Sequence, residues 1–203
     1  MATATTLSDN LNDARSLATR ARLINSTIDA LVEIGFTRTT GVEVCRRAQL
    51  TRGALNHHFP DFAELLVETL KQLYRQLLDL KDDADTGLLE QIASEGYLRV
   101  TQPEFKAVIE LWLASTNDKA FGKRLAQAIE QGSKLFSPEM VLIRKREHKR
   151  SKDFEAIYRT ITEALIGIGL GRAINGGTAM AHEPMVLQTL QSLARQNDQH
   201  DDA

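Results

Sequence analysis

Apolar residues recur along almost the whole chain at spacings of three and four, the period of one face of an α-helix. Leu17, Ile24, Ile28, Leu31 and Val32 make the first stripe, and Gly35 stands where such a helix can end in the left-handed conformation. The pattern restarts in "TTGVEVCRRA". Thr40 and Glu43 have capping-box spacing, hydroxyl and carboxylate each satisfying an end amide, and Val42, Cys45 and Ala48 fall on one face. Thr51 is a second N-cap, opening a short helix from Arg52 to about His58. Asp61 and Glu64 repeat the capping box ahead of a long stripe of Phe62, Leu65, Leu66, Thr69, Leu70, Leu73 and Leu77.

The rest of the chain keeps the helical period. Leu88 to Val100 is one helix. Pro103 suits a first helical position and opens another to about Thr116, with Phe105, Val108, Ile109 and Trp112 inward. A further helix starts after Asp118, and Pro138 is placed to kink or break it. Residues 154–174, "FEAIYRTITEALIGIGLGRAI", are strongly apolar and helical, "NGGTAMAHEP" is a loop, and Pro184 opens a last helix to about Gln196. No alternating strand pattern interrupts this order, so the expected fold class is all-α.

Composition narrows the setting. Of 203 residues, 42% are hydrophobic and 26% charged, ordinary for a soluble globular chain. No apolar run approaches the roughly 20 residues that span a bilayer, so no membrane association is expected. The N-terminus, "MATATTLSDN", has no basic region followed by an apolar one, so no secretory signal is expected. The single cysteine, Cys45, excludes an internal disulfide and fits a cytoplasmic location. The net charge of −2 conceals an asymmetry: between Ala14 and Pro60, seven arginines stand against three acids. A basic end on a nearly neutral chain fits an anionic partner for that end. The later basic run "RKREHKRSK", 144–152, is distant from it and fits a solvated helix end or connector.

Catalytic and metal chemistry find little support. Two histidines grip one ion from a helix at a spacing of four, whereas His57 and His58 are adjacent and point about 100° apart. His148, His182 and His200 lie far along the chain, so neither a metal nor a cofactor is expected. Cys45 falls on the apolar stripe of its helix, as a small core residue does. "GIGLG" lacks phosphate-loop spacing and a preceding strand; glycines there fit close helix approach. No nucleophile, base or paired acid stands out, so an enzyme is not expected.

Nucleic-acid recognition is better served. "VEVCRRAQLTRGALNHHF" holds two short helices joined by a tight turn, the dimensions of a helix-turn-helix. Val42, Cys45, Ala48, Leu50, Leu55 and Phe59 can form its small core, leaving Arg46, Arg47, Arg52, Asn56, His57 and His58 toward solvent. These side chains can donate to phosphates or read base edges, and no acid interrupts the set. The two histidines can gain charge as pH falls, which predicts tighter but less selective DNA binding near pH 6 than at pH 8.

The segment "GFTRTTGVEVCRRAQLTRGALNHHFPDFAELL" resembles the N-terminal domain of the tetracycline-repressor (TetR) family of bacterial transcription regulators. Gly35-Phe36, Thr39-Thr40, Ala48, Thr51, Gly53, Leu55 and His58-Phe59 carry the likeness. It implies a three-helix DNA-binding domain over 13–60, preceded by a disordered arm at 1–12. An effector-binding and dimerisation domain follows over 61–196, with a disordered tail at 197–203. It further implies that Arg52, Gly53 and His57 face base edges in double-stranded DNA. Thr40, Thr51, Asn56 and His58 would contact phosphates or position the helix, Arg47 would add a phosphate contact, and Arg20 and Arg22 would approach the backbone from the flank. Three positions depart from the family pattern: Gln49 replaces a turn glycine, Asn56 the usual tyrosine and Phe62 a common lysine. Fewer phosphate contacts predict a shallower salt dependence, by about 0.9 for each phosphate left without a cation.

The resemblance also implies a homodimer through helices 154–174 and 184–196. Ile157, Ile161, Ala164, Leu165, Ile168 and Gly171 run along one side of the first, and the two reading helices would sit roughly 34 Å apart on a palindrome. A small-molecule effector, apolar or weakly polar, would lie among the helices between Phe62 and Phe136, near Tyr74, Tyr97, Phe105, Trp112 and Phe121. The expected function is therefore a ligand-responsive repressor; the alternative is a small-molecule binding or sequestering protein with weak DNA binding.

Overall fold

The computed structural model describes residues 3–77, 86–136 and 152–201, with side chains described for 13–77, 86–130 and 153–198. Pro138 and the basic run 144–152, the backbone of Lys152 apart, lie outside them. All regular structure among these residues is helical: α1 (Thr3–Ile34), a 3-10 turn (Phe36–Arg38), α2 (Gly41–Ala48), α3 (Arg52–His58), α4 (Phe62–Leu77), α5 (Leu88–Val100), α6 (Pro103–Asn117), α7 (Lys119–Phe136), α8 (Lys152–Ile174) and α9 (Glu183–Asp201). No helix among them is long and apolar enough to cross a membrane.

The caps follow local chemistry. Thr51 Oγ1 accepts the Ala54 N–H at 3.1 Å, and Asp61 accepts the Glu64 N–H at 2.8 Å. Asp118 accepts the N–H groups of Ala120 and Phe121 and so starts α7. Gly35 ends α1 at φ 76°, ψ 173°, a region essentially confined to glycine.

Several boundaries and faces differ from expectation. Helix α1 begins at Thr3, so the expected N-terminal arm is largely helical backbone. Leu17 is 68% exposed: the core takes nothing from α1 before Leu23. On α2 the buried face is Val44, Cys45 and Ala48, and Val42 is 65% exposed. Val42 lies about 200° around the helix from Val44, so the two cannot share a face. At the other end, α9 runs on to Asp201. Asp198 accepts the N–H groups of Leu89 and Glu90 at the start of α5, which ties down residues expected to be a free tail.

Two apolar clusters hold the molecule. The first joins α1–α4 to α6 and α7; the second joins α5, α8 and α9. The expected division at 60/61 therefore falls inside a continuous core, with Phe59 and Leu65 both fully buried in the first cluster. Gly169 permits close packing of α8 on α6: a Cβ there would lie 2.4 Å from the Phe105 ring.

Candidate nucleic-acid interface

Helices α2 and α3 pack through Val44, Cys45, Ala48, Leu55 and Phe59. Burial pushes the Cys45 thiol pKa up, and its Sγ lies 3.7 Å from the Thr51 carbonyl. The turn hinges on Gln49 at φ 52°, ψ 44°, the one described non-glycine residue with positive φ. Its N–H reaches back to the Arg46 and Cys45 carbonyls and ends α2.

The arginines of α2 are occupied. Thr40 Oγ1 accepts the Glu43 N–H at 3.3 Å, but the Glu43 carboxylate does not complete a capping box. It binds Arg46 Nε and Nη2 at 2.8 and 2.7 Å, and Arg47 Nε at 2.7 Å. Hydrogen bonds from Arg46 and then Arg47 lower the Glu43 pKa to about 2. Arg47 also meets Glu33 at 2.6 Å, and its side chain is only 16% exposed. An acid thus does interrupt the basic set, one helical turn before it.

Arg20 and Arg22 are also committed. Arg20 donates to the His58 carbonyl at 3.0 Å, pairs with Glu68 at 3.0 Å and lies 4.4 Å over the Phe59 ring. Arg22 donates to the Ala48 carbonyl. Both brace the two short helices from behind rather than reaching outward.

Helix α3 is different. Arg52, Gly53, Asn56 and His57 are exposed, as is its N-cap Thr51. Among the described residues, no hydrogen bond or ion pair engages the side chains of Arg52 or Asn56. The His57 ring meets His58 edge-on, with centroids 5.1 Å apart. His58 is half-buried, and burial, followed by the charges of His57 and Arg20, holds its pKa below 6.5. Its protonation is thus disfavoured in the folded chain, against the gain of charge expected at that position.

One connection had no signal in the sequence. Lys106 Nζ on α6 donates to the Val32 carbonyl near the end of α1 at 2.6 Å. One turn on, Glu110 accepts the Phe36 N–H at 2.8 Å. Each contact spans 74 positions and clasps the end of α1.

Between α4, α5, α6 and α8 lies a cavity of about 300 Å³. Tyr74, Phe105 and Trp112 line it, joined by Tyr158. Trp112 Nε1 donates to the Tyr74 hydroxyl at 2.9 Å, and burial pushes the Tyr74 phenol pKa up. The other two expected aromatics are elsewhere. Tyr97 donates to Glu183 at 3.2 Å and accepts from Arg172 at 3.0 Å, while Phe121 stacks on Phe36 in the first core. The cavity also takes Tyr158, Leu165 and Ile166 from α8, so it is not confined to the helices between Phe62 and Phe136.

The expected dimer face of α8 is divided. Ile161, Leu165 and Ile168 are buried in the second core, facing α5 and α9. Gly167, Leu170 and Ile174, by contrast, are exposed along another side of α8, and Met185 is exposed on α9.

No family model matches the chain. Among curated proteins it is 27% identical over 167 residues to the HTH-type transcriptional regulator BetI of Klebsiella pneumoniae (strain 342), covering 77% of this chain and 83% of that one. It is 26% identical over 125 residues to the HTH-type transcriptional regulator CymR of Pseudomonas putida, covering 58% and 61%. In structure it matches a putative TetR-family transcriptional regulator from Rhodococcus sp. with a TM-score of 0.64, at 16% identity over 87% of this chain and 98% of that one. In sequence the chain is thus similar to HTH-type transcriptional regulators, and its fold is that of TetR-family regulators. Those relatives are transcriptional regulators, which supports a DNA-binding regulator. A further TetR-like neighbour in fold is the multidrug binding protein EbrR complexed with imidazole, with a TM-score of 0.55 and 19% identity over 86% and 94% of the two chains.

Proposed function

We propose that this protein is a ligand-responsive repressor that binds a palindromic operator as a homodimer. The observation that carries the reading is the outer face of α3: Arg52 and Asn56 are exposed and unpaired among the described residues, His57 stands beside them, and Leu55 and Phe59 anchor the helix from behind. Arg52, Gly53 and His57 are assigned to base edges, and Thr40, Thr51, Asn56 and His58 to phosphates or to positioning the helix. Arg47 is assigned to bracing α2, because both of its ion pairs would have to open before it met a phosphate. The head comprises 13–60 in function, although its core continues into α4, α6 and α7.

The exposed Leu170, Ile174 and Met185 supply apolar surface for a second copy, which a two-fold operator requires. The cavity of Tyr74, Phe105, Trp112 and Tyr158 takes the effector, an apolar or weakly polar molecule able to meet the Tyr74 hydroxyl. Effector binding releases the operator only by favouring one spacing of the two heads over the other.

A second reading, a sequestering protein with weak DNA binding, draws on two observations: Glu33 and Glu43 hold Arg47, and Phe62 offers no phosphate anchor. One experiment separates the two. DNA flanking the protein's own gene is tested by gel shift against wild type and His57→Ala, with dimer formation followed by sedimentation. The repressor reading expects salt-sensitive binding of a palindrome by a dimer, weakened in the variant. Failure to bind any flanking or selected DNA at low salt would sink it.

A further inference from the structure

A second cavity, also about 300 Å³, lies between the end of α1 and the junction of α5, α6 and α8. Val32, Val100, Pro103, Lys106, Arg172 and Ala173 contribute to its wall. It shares only Val100 with the aromatic cavity. Its charged lining is Lys106 and Arg172, with no acid among the lining residues.

Neither cation is saturated among the described residues. The Lys106 ammonium carries three N–H donors, and its one hydrogen-bond partner there is the neutral Val32 carbonyl. It is half-buried, so its charge is partly withdrawn from water without a described counter-ion. Arg172 gives Nε and Nη2 to Glu183 and Tyr97, which leaves Nη1 without a hydrogen bond. Glu183 is fully buried and also accepts the Met180 N–H, so its charge is spent inside that network. The Arg172–Glu183 pair is neutral as a whole, so the cavity's net positive charge is that of Lys106, set beside Thr101 and Gln102 and apolar walls from Val32, Val100, Pro103 and Ala173.

We propose that this cavity is a second ligand site, specific for a small organic carboxylate. The carboxylate accepts from Lys106 Nζ and Arg172 Nη1, in charge-assisted bonds, and a short apolar body fills the remainder. Inorganic phosphate would satisfy the cations but leave the apolar walls uncovered. Lys106 also holds the last turn of α1, so the ligand and the helix that carries the reading head meet at one ammonium.

The test is calorimetric titration of the full chain with benzoate, benzamide and inorganic phosphate, in the absence of DNA. Benzoate is expected to bind at least about tenfold more tightly than either of the others. Lys106→Gln keeps a donor for the Val32 carbonyl but loses the charge, and is expected to lose about tenfold or more in benzoate affinity with an unchanged melting midpoint. Ala173→Leu fills the cavity with Lys106 intact and is expected to lose benzoate binding as well. Trp112→Ala, in the other cavity, should bind benzoate like wild type. No benzoate binding at millimolar concentration, equal binding of benzamide or phosphate, or full affinity in either Lys106→Gln or Ala173→Leu overturns the proposal. So does a loss in Trp112→Ala matching that in Lys106→Gln. Because the readout involves no DNA, its failure leaves the repressor reading standing.

Discussion

Helices α2 and α3 look alike in sequence, α2 with two arginines and α3 with one beside apolar anchors, yet they use their charge differently. On α2, Glu43 pairs with Arg46 and Arg47, and Glu33 of α1 also pairs with Arg47. On α3, Arg52 has no internal partner among the described residues, and its neighbours Asn56 and His57 face solvent. A cation already hydrogen-bonded to carboxylates must break those bonds to meet a phosphate, whereas an unpaired one needs only to shed water. The lesson is that a count of basic residues overstates a DNA-binding surface unless the acids within a helical turn are counted too.

The largest expected effect tests that division directly. Arg52→Ala should weaken binding to the preferred site by about 1–3 kcal/mol, whereas Arg47→Ala should change it by less than about 1 kcal/mol while lowering stability. Fluorescence anisotropy on a selected duplex, paired with chemical denaturation, measures both. Equal losses from the two substitutions would erase the distinction between the helices.

A smaller effect probes the joint between them. Gln49 sits in the left-handed region, which costs an L-residue roughly 1–2 kcal/mol relative to the right-handed one and costs glycine little. Gln49→Gly should raise stability by up to about 1 kcal/mol, after glycine's greater loss of chain entropy is counted. A lower urea midpoint in this variant would show that the glutamine side chain does more than occupy the turn.

The smallest expected effect concerns pH. The folded pKa of His58 lies below its ordinary value because burial, with His57 and Arg20 nearby, disfavours its charged form. Over the window below pH 6.5 the unfolded chain then binds more protons than the folded one, so stability falls as the solution is acidified through that window. Urea midpoints at pH 7.5 and pH 5.5 should show a decline that His58→Asn reduces. An unchanged pH dependence in that variant would place the proton uptake elsewhere.

Much of the local structure was legible because it depends on neighbours in sequence. The Thr51 cap, the Pro103 start, the Gln49 turn and the Leu55–Phe59 anchor each follow from a few adjacent residues. Side-chain partners were less legible. Glu43 stood at capping-box spacing, but its carboxylate chose two guanidinium groups over a backbone amide, since charge-assisted bonds are the stronger. Tyr97 and Phe121 had the right composition for a cavity wall, and packing assigned them to a polar network and to the core.

What the sequence determined by itself is the helical order, the two-helix reading unit and the polar face of α3, because helical period, caps and turn chemistry are encoded within spans of a few residues. What only the tertiary structure decided is which arginines are free, where the cavities lie, and how α6 grips α1 through Lys106 and Glu110. Those outcomes depend on groups 74 or more positions apart in the chain meeting in space, and no local spacing records which of them pair.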